Sequence, residues 1–369
     1  LLDIYFDNAA TTPALPFSQK TFWGNPSSPH GKGLRAERAL KEARETIAGI
    51  FNCRENEIVF TSGGTEANNL AIMGFALANK RRNAGIFSEP WEHPSITLPA
   101  NYAHELWLTE SPAAESHALK TPAAKTHSGI RLVSFSHVSH ETGDVTDIAQ
   151  KSAALKKENP ETIIHVDGIQ AFCKEPPDIS NVDIYTFSGH KFHGGGGVGG
   201  LFLRGGTRIL PLTLGGEQES GLRSGTENVH GILQMTAAAK KLSAQIWENH
   251  KQVSAVKAEM LNLLSDLPDV VVNALGENVS PYILNLSFMG LRGETLVNLL
   301  SEKGIYASMG AACRSRKKRN SLLEAMGFSE ERAKSAVRFS FSFLNTVEEA
   351  AVVRQIIIDT VSQLRRVLR

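Results

Sequence analysis

Val182-Asp183-Ile184-Tyr185-Thr186-Phe187 runs straight into Ser188-Gly189-His190-Lys191, and a glycine tract from Gly194 to Gly197 follows almost at once. The first six residues form an apolar, strand-like run, and the glycines punctuate it. A lysine at a strand end, beside a hydroxyl and an imidazole, suits Schiff-base chemistry with an aldehyde cofactor. The stretch Gly194 to Gly199 also satisfies a GxGxxG count, but Leu201-Phe202-Leu203 then reads as another strand rather than a helix. That order argues against a dinucleotide site. A Walker phosphate loop fails too, because the glycines come after Lys191 and Phe192 follows it.

Upstream, the chain alternates strands and helices. Apolar residues at helical spacing (Leu34, Ala39, Leu40, Ala43, Ile47, Ile50) predict a helix over residues 32–51. Glu57-Ile58-Val59-Phe60 then reads as a strand, Ser62-Gly63-Gly64-Thr65-Glu66 as a turn, and the next residues through Leu77 as a helix. Strands at Gly85-Ile86-Phe87-Ser88, Arg131 to Phe135 and Ile163 to Asp167 alternate with helices over residues 94–103 and 146–157. Such repetition predicts a mostly parallel α/β sheet covered by helices on both faces, with ligands beyond the carboxyl ends of its strands. Gly64, Asp167 and Lys191 all fall at predicted strand ends. A helical stretch over residues 229–264 precedes Val270-Val271-Val272, Ile283 to Phe288 and Ala336 to Phe341, strands of a smaller α+β unit closed by a helix over residues 347–368. We expect a large domain over residues 13–247 and a small one from residues 1–12 and 248–369. The Ala-, Ser-, Thr- and Pro-rich stretch over residues 109–128 reads as a surface excursion.

Composition sets the class. The 369 residues are 41% hydrophobic and 21% charged, with a formal net charge of +1, the balance of a globular protein with no global pull toward nucleic acid. No apolar run is long enough to span a bilayer. Three widely spaced cysteines, Cys53, Cys173 and Cys313, argue against a secreted disulfide framework and against a CxxC metal site, so a reducing, cytoplasmic setting without a metal is expected. The numbering opens on Leu1 rather than methionine and shows no signal-like segment, so a few residues are expected ahead of it.

A pyridoxal phosphate site needs a phosphate seat, a partner for the pyridine nitrogen, a group against the ring face and a lysine. Gly63, Gly64 and Thr65 supply backbone N–H groups and a hydroxyl at a helix start, although an ordinary helix cap looks the same in isolation. Asp167 ends an apolar strand, where a buried carboxylate is costly without a cation; a strand-end turn aspartate is the competing reading. Gln170 lies three residues on. His93, in Glu92-His93-Pro94, opens a helix, and either caps it or stacks on the ring and shuttles protons.

Phe6-Asp7-Asn8-Ala9-Ala10-Thr11-Thr12, Gly24-Asn25-Pro26-Ser27-Ser28, Thr61-Ser62-Gly63-Gly64-Thr65-Glu66, His165-Val166-Asp167, Ser188-Gly189-His190-Lys191 and Arg223-Ser224-Gly225-Thr226-Glu227-Asn228 resemble, in order, the motifs of the cysteine desulfurases, class V pyridoxal phosphate enzymes of fold-type I. The resemblance implies a large domain with a seven-stranded, mostly parallel sheet and a homodimer. It implies that Lys191 carries the cofactor as a Schiff base, that Gly64, Thr65, Ser188 and His190 hold its phosphate, and that Thr226 reaches the phosphate in the neighbouring subunit. Asp167 would pair with the pyridine nitrogen, Gln170 would contact the ring hydroxyl and His93 would stack on the ring. Arg338 and Asn25 would bind the carboxylate end of L-cysteine. Cys313, in Gly310-Ala311-Ala312-Cys313-Arg314-Ser315, would take sulfur as a persulfide, and five of the six residues Arg314 to Arg319 are cationic, which favours a thiolate. The basic run is a solvated face or a docking patch for an acidic sulfur acceptor serving iron-sulfur cluster assembly or thiolation.

This chain departs from the family at Ser139-His140, where two asparagines are usual, at Ala311 in place of a serine, and at the glycines that replace Pro-Lys after the lysine motif; residues 13–24 also form a short connection for the family. Two other readings stay open: another class V lyase or aminotransferase, including selenocysteine lyase, in which Cys313 is dispensable, and a catalytically silent scaffold.

Overall fold

The computed structural model describes residues 2–18, 24–80, 84–107, 130–309 and 322–367. The expected excursion over residues 109–128 and the Cys313 loop lie outside them. The chain divides into two compact units: Leu1–Thr12, Val138–Val145 and Gln245–Arg369 form one, and Pro13–His137 with Thr146–Ala244 form the other.

After β1 (Ile4–Tyr5), which belongs to the smaller unit, the larger unit runs α1 (Gly31–Phe51), β2 (Ile58–Thr61), α2 (Gly64–Asn79), β3 (Gly85–Ser88), α3 (Pro94–Trp107), β4 (Ile130–Ser136), α4 (Ile148–Glu158), β5 (Ile163–Asp167), β6 (Ile184–Ser188), β7 (Gly199–Leu203) and α5 (Val229–Ser243). The sheet order is β2-β7-β6-β5-β4-β3, and only β7 runs against its neighbours. The described residues thus supply six of the seven expected strands. β2 and β6 are buried at every position, which explains why they read as unbroken apolar runs rather than alternating ones. α2 packs Ala67, Leu70, Ala71, Ile72, Phe75 and Ala76 into the core, so it carries no polar stripe wide enough to face water.

In the smaller unit, α6 (Ile246–Leu261) and the single turn α7 (Leu263–Asp266) lead to β8 (Val270–Val272), β9 (Ile283–Phe288), α8 (Gly293–Glu302), β10 (Ile305–Tyr306), α9 (Leu322–Ala325), α10 (Glu330–Ser335), β11 (Ala336–Ser340) and α11 (Val347–Val367). β11, β9 and β8 pair antiparallel, and β1 pairs parallel with β10. Val253, Val256 and Met260 of α6 and Val353, Ile357 and Val361 of α11 share its core with Leu284, Leu286, Val337 and Phe339. The single long helix expected over residues 229–264 is broken: Gln245 leaves helical geometry (φ −119°, ψ 17°) and its carbonyl begins α6 by accepting the Asn249 N–H at 2.9 Å.

Two polar anchors shape the larger unit where its loops meet the sheet. Arg44 of α1 makes a bidentate pair with Glu219 (2.7 and 2.8 Å) and also donates to the Ile58 carbonyl at 2.6 Å, while Glu219 accepts the Phe60 N–H at 2.8 Å. Glu219 sits in a loop where Glu217, Glu219 and Ser220 all take positive φ (64°, 51° and 56°), a conformation costing about 1–3 kcal/mol per residue that persists only where surrounding contacts enforce it. The second anchor is Glu92, fully buried, which accepts the Ser136 N–H at 2.9 Å and the Ser136 hydroxyl, and so ties the turn before α3 to the end of β4.

Glu219→Ala would leave the Arg44 guanidinium and the Phe60 N–H without their shared acceptor, and is expected to lower stability in urea denaturation by about 3 kcal/mol; Glu219→Gln, which keeps an acceptor, is expected to lose less. Burial pushes the Glu92 carboxyl up to about 7, against the pull of Ser136. A carboxyl whose folded pKa is raised binds its proton more tightly in the native state, so stability is greatest below the unfolded value of about 4.3 and falls as pH rises through about 7. Thermal melts of Glu92→Gln at pH 5 and pH 8 are expected to differ by less than those of the parent protein.

Candidate active site

The site grows from a polar patch at the carboxyl end of a buried sheet face. Asp167 closes β5, opposite Ser136 of β4 and Thr186 of β6 in register, so all three project to the same side. Asp167 is 6% exposed. Its Oδ1 accepts the Ile169 N–H at 2.9 Å, making an Asx turn, and its Oδ2 accepts from Asn68 Nδ2 at 3.0 Å. Burial raises its pKa, while the Ile169 N–H, His93, Asn68 and Lys191 pull the other way. A buried acid held by two neutral donors, with Lys191 as the cation beside it, is the environment a protonated pyridine nitrogen fits.

A candidate phosphate seat lies between the starts of two connections. Gly63 (φ 152°) precedes α2, whose first N–H groups receive no side-chain cap. The Ser188 hydroxyl, at the end of β6, is 2% exposed and has no partner among the described residues. A Cβ on Gly64 would fall 2.3 Å from Ile169 Cδ1 and 3.3 Å from Ser188 Cβ, so only glycine lets the backbone approach this closely. Uncapped helix N–H groups beside an unpartnered buried hydroxyl suit a phosphate dianion. The seat is braced from behind, since Glu66 accepts the Ser62 N–H at 2.7 Å and Arg223 Nε at 2.8 Å.

Gly189–Lys191 forms one 3-10 turn after Ser188, leaving His190 and Lys191 half-buried. Burial, then Lys191 and Lys174, lower His190 to about 4, so its imidazole is neutral at ordinary pH. Gln170 is buried on the turn after Asp167, whereas Thr65 and Thr226 are exposed. Asn25 is also exposed, and its Oδ1 accepts the Ser27 N–H at 2.9 Å. These residues therefore fit a phosphate-bearing aldehyde cofactor.

Sequence reading missed the residue that joins the site together. Asn68, wholly buried on α2, donates to Asp167 and also to Ser95 Oγ at 2.9 Å, while Thr186 Oγ1 donates to its Oδ1 at 2.6 Å. Ser95, on the first turn of α3, contacts His93 Nδ1 through its hydroxyl at 2.7 Å and through its N–H at 3.1 Å. The signal available was weak: Asn68 is the one polar residue on a buried face otherwise made of Gly, Ala, Leu, Ile, Met and Phe.

Arg338 belongs to the smaller unit, on β11. It is 6% exposed; Nη1 donates to the His140 carbonyl at 2.6 Å, Nη2 lies 3.3 Å from Asp7 Oδ1, and Nε has no partner among the described residues. Burial pushes the Cys53 thiol up to about 12 and raises that of the fully buried Cys173 as well, so both are neutral thiols at ordinary pH. Among the described residues no group of acidic, histidine or cysteine side chains forms a metal site, and no helix is long and apolar enough to cross a membrane.

The class V aminotransferase family model matches residues 4–353. A NifS/IcsS protein homolog from Lactobacillus delbrueckii subsp. bulgaricus is 38% identical over 94% of this chain and 94% of its own length. Cysteine desulfurase IscS of Methanosarcina thermophila is 33% identical over 98% of this chain and 93% of its own. Among solved structures, a NifS-like protein matches with a TM-score of 0.88 and 32% identity, covering 98% of this chain and 100% of that one. On sequence and on fold alike, the chain belongs to the cysteine desulfurase family of the class V aminotransferases.

Proposed function

We propose that the protein is a pyridoxal phosphate-dependent cysteine desulfurase that converts L-cysteine to L-alanine and holds the sulfur as a persulfide on Cys313. The observation that carries this reading is Asp167, a buried carboxylate at a strand end with the Lys191 ammonium and the His93 ring beside it. Family membership and the seat formed by Gly63, Gly64 and Ser188 support it. In this assignment Gly64, Thr65, Ser188 and His190 hold the phosphate, Asp167 holds the pyridine nitrogen, Gln170 the ring hydroxyl and His93 the ring face. Thr226 completes the phosphate site of a second copy, which makes the enzyme a homodimer.

Bound pyridoxal phosphate supplies an electron sink for the bonding pair at the substrate Cα. Arg338, with Asn25, binds the substrate carboxylate. Lys191 takes the Cα proton. The Cys313 thiolate attacks the substrate sulfur; an S–S bond forms as the Cβ–S bond breaks, and protonation of the remaining carbon skeleton releases alanine. With Cys53 and Cys173 held as neutral thiols, Cys313 is the cysteine left for this role. The cationic run Arg314 to Arg319 keeps the thiolate charged and offers a surface for an acidic sulfur acceptor.

Purified protein given pyridoxal phosphate is expected to show a visible absorption band that shifts on addition of L-cysteine as alanine accumulates, and Lys191→Ala is expected to lack the band. Cys313→Ala should keep the band while desulfuration falls by on the order of a hundredfold or more, roughly 3 kcal/mol of barrier; Cys53→Ser should be unaffected. Alanine formation that survives in Cys313→Ala would identify a lyase with no need of the thiol. A parent protein with no band at all would remove Lys191 from the cofactor site.

A further inference from the structure

We infer that Ser95 and Asn68 are positioning residues that fix His93 as the neutral tautomer protonated at Nε2, so that His93 serves the site as a hydrogen-bond donor and not as a proton shuttle. The inference deepens the reading above, and its use in catalysis rests on that reading. The tautomer itself follows from the protein's own atoms.

Asp167 orients the chain of hydrogen bonds. Ionised, its Oδ2 can only accept, so the Asn68 atom 3.0 Å away must be the amide nitrogen. The same orientation points Asn68 Oδ1 at the Thr186 hydroxyl, 2.6 Å away, which donates to it. Asn68 Nδ2 then spends its second proton on Ser95 Oγ at 2.9 Å. Having accepted that bond, the Ser95 hydroxyl directs its own proton to His93 Nδ1 at 2.7 Å.

A second, independent donor converges on the same nitrogen. The His93 carbonyl accepts the Ile96 and Thr97 N–H groups, which makes His93 the residue that caps α3, with Pro94 at the first helical position. Its Nδ1 accepts the Ser95 N–H at 3.1 Å, as a capping side chain does. Two donors aimed at Nδ1 require a lone pair there, so the single ring proton of the neutral imidazole sits on Nε2.

The charged groups around the ring are Asp167 at the end of β5 and Lys191 after β6. Burial and Lys191 lower the His93 pKa, and Asp167 raises it, with a net lowering. The positive end of the α3 dipole also disfavours an imidazolium at a helix N-terminus. A neutral ring with Nδ1 engaged has no proton to give without becoming an anion and no lone pair at Nε2 with which to take one. A group presented to its outer edge therefore meets an N–H donor.

The test is long-range 1H–15N correlation NMR on the full-length protein labelled with 15N-histidine, both loaded with pyridoxal phosphate and freed of it. The His93 signals are assigned by their loss in His93→Gln. Between pH 6 and 8, Nε2 is expected in the protonated range and Nδ1 in the unprotonated range. Ser95→Ala removes one donor from Nδ1 and should raise the His93 pKa by on the order of half to one pH unit, whereas Ser95→Thr, which retains the hydroxyl, should restore it. An Nδ1-protonated ring or an imidazolium at pH 7 in the parent protein would overturn the inference, as would a Ser95→Ala titration identical to the parent's. The tautomer in the cofactor-free protein is read whatever the visible spectrum shows, so failure here and failure of the cofactor assignment are distinguishable.

Discussion

A single buried negative charge sets the terms for the larger unit. Moving a carboxylate out of water costs several kcal/mol even after relaxation, and Asp167 recovers part of this through the Ile169 N–H and Asn68. Neither donor is available by accident. The first requires the chain to turn immediately after β5, and the second requires α2 to cross the sheet with Asn68 directed at the strand end. The rest of the stabilisation comes from positive charge, with Lys191 beside the carboxylate. The Asx turn and the functional carboxylate, which stand as alternatives when the sequence is read, are two oxygens of one side chain.

The parallel part of the sheet explains why the candidate site residues stand out in the sequence. β3, β4, β5 and β6 run in one direction, so their carboxyl ends and the turns that follow gather on one edge. Any residue type with unusual chemistry at the end of an apolar run therefore stands out, as Asp167 and Lys191 do. Gly63 and Gly64 stand out for a related reason: they open a helix without a capping side chain, Gly63 at a φ of 152° and Gly64 too close to Ile169 to tolerate a Cβ.

Residues that support the site from inside were not legible. Asn68, Ser95 and Thr186 become partners only because β5 pairs with β6 so that Asp167 faces Thr186, and because α2 and α3 bring their inner faces to the same point. Register and helix rotation are tertiary facts, and no local pattern of period 2 or 3.6 encodes them. The break at Gln245 was hidden for the opposite reason, since Ser243-Ala244-Gln245 contains no glycine or proline to announce a stop. The segment Val138–Val145, which groups with the smaller unit, carries no composition change either. One of the bonds it makes is the Arg338 guanidinium on the His140 carbonyl, which any residue at position 140 could supply through its backbone. That arrangement shows how a histidine can stand where the family usually has asparagine without disturbing the anchor of Arg338.

Helix capping and catalysis are usually weighed as rival explanations for a polar residue at a helix start. At His93 they are one arrangement. A serine or aspartate cap would satisfy the α3 amides equally well, but only a ring with two nitrogens can spend one on the helix and keep the other for the site. The cap chooses which nitrogen is spent, and Ser95 reinforces the choice because its own hydroxyl has been oriented by Asn68. Since Asn68 is in turn oriented by Asp167, the protonation pattern of the ring depends on the charge of a carboxylate with which it shares no direct hydrogen bond. Were Asp167 neutral, the amide of Asn68 could reverse, Ser95 would be free to turn its proton elsewhere, and one of the two constraints on Nδ1 would be lost. The same buried charge that suits a pyridinium partner thus also holds the imidazole in the state in which it can only donate.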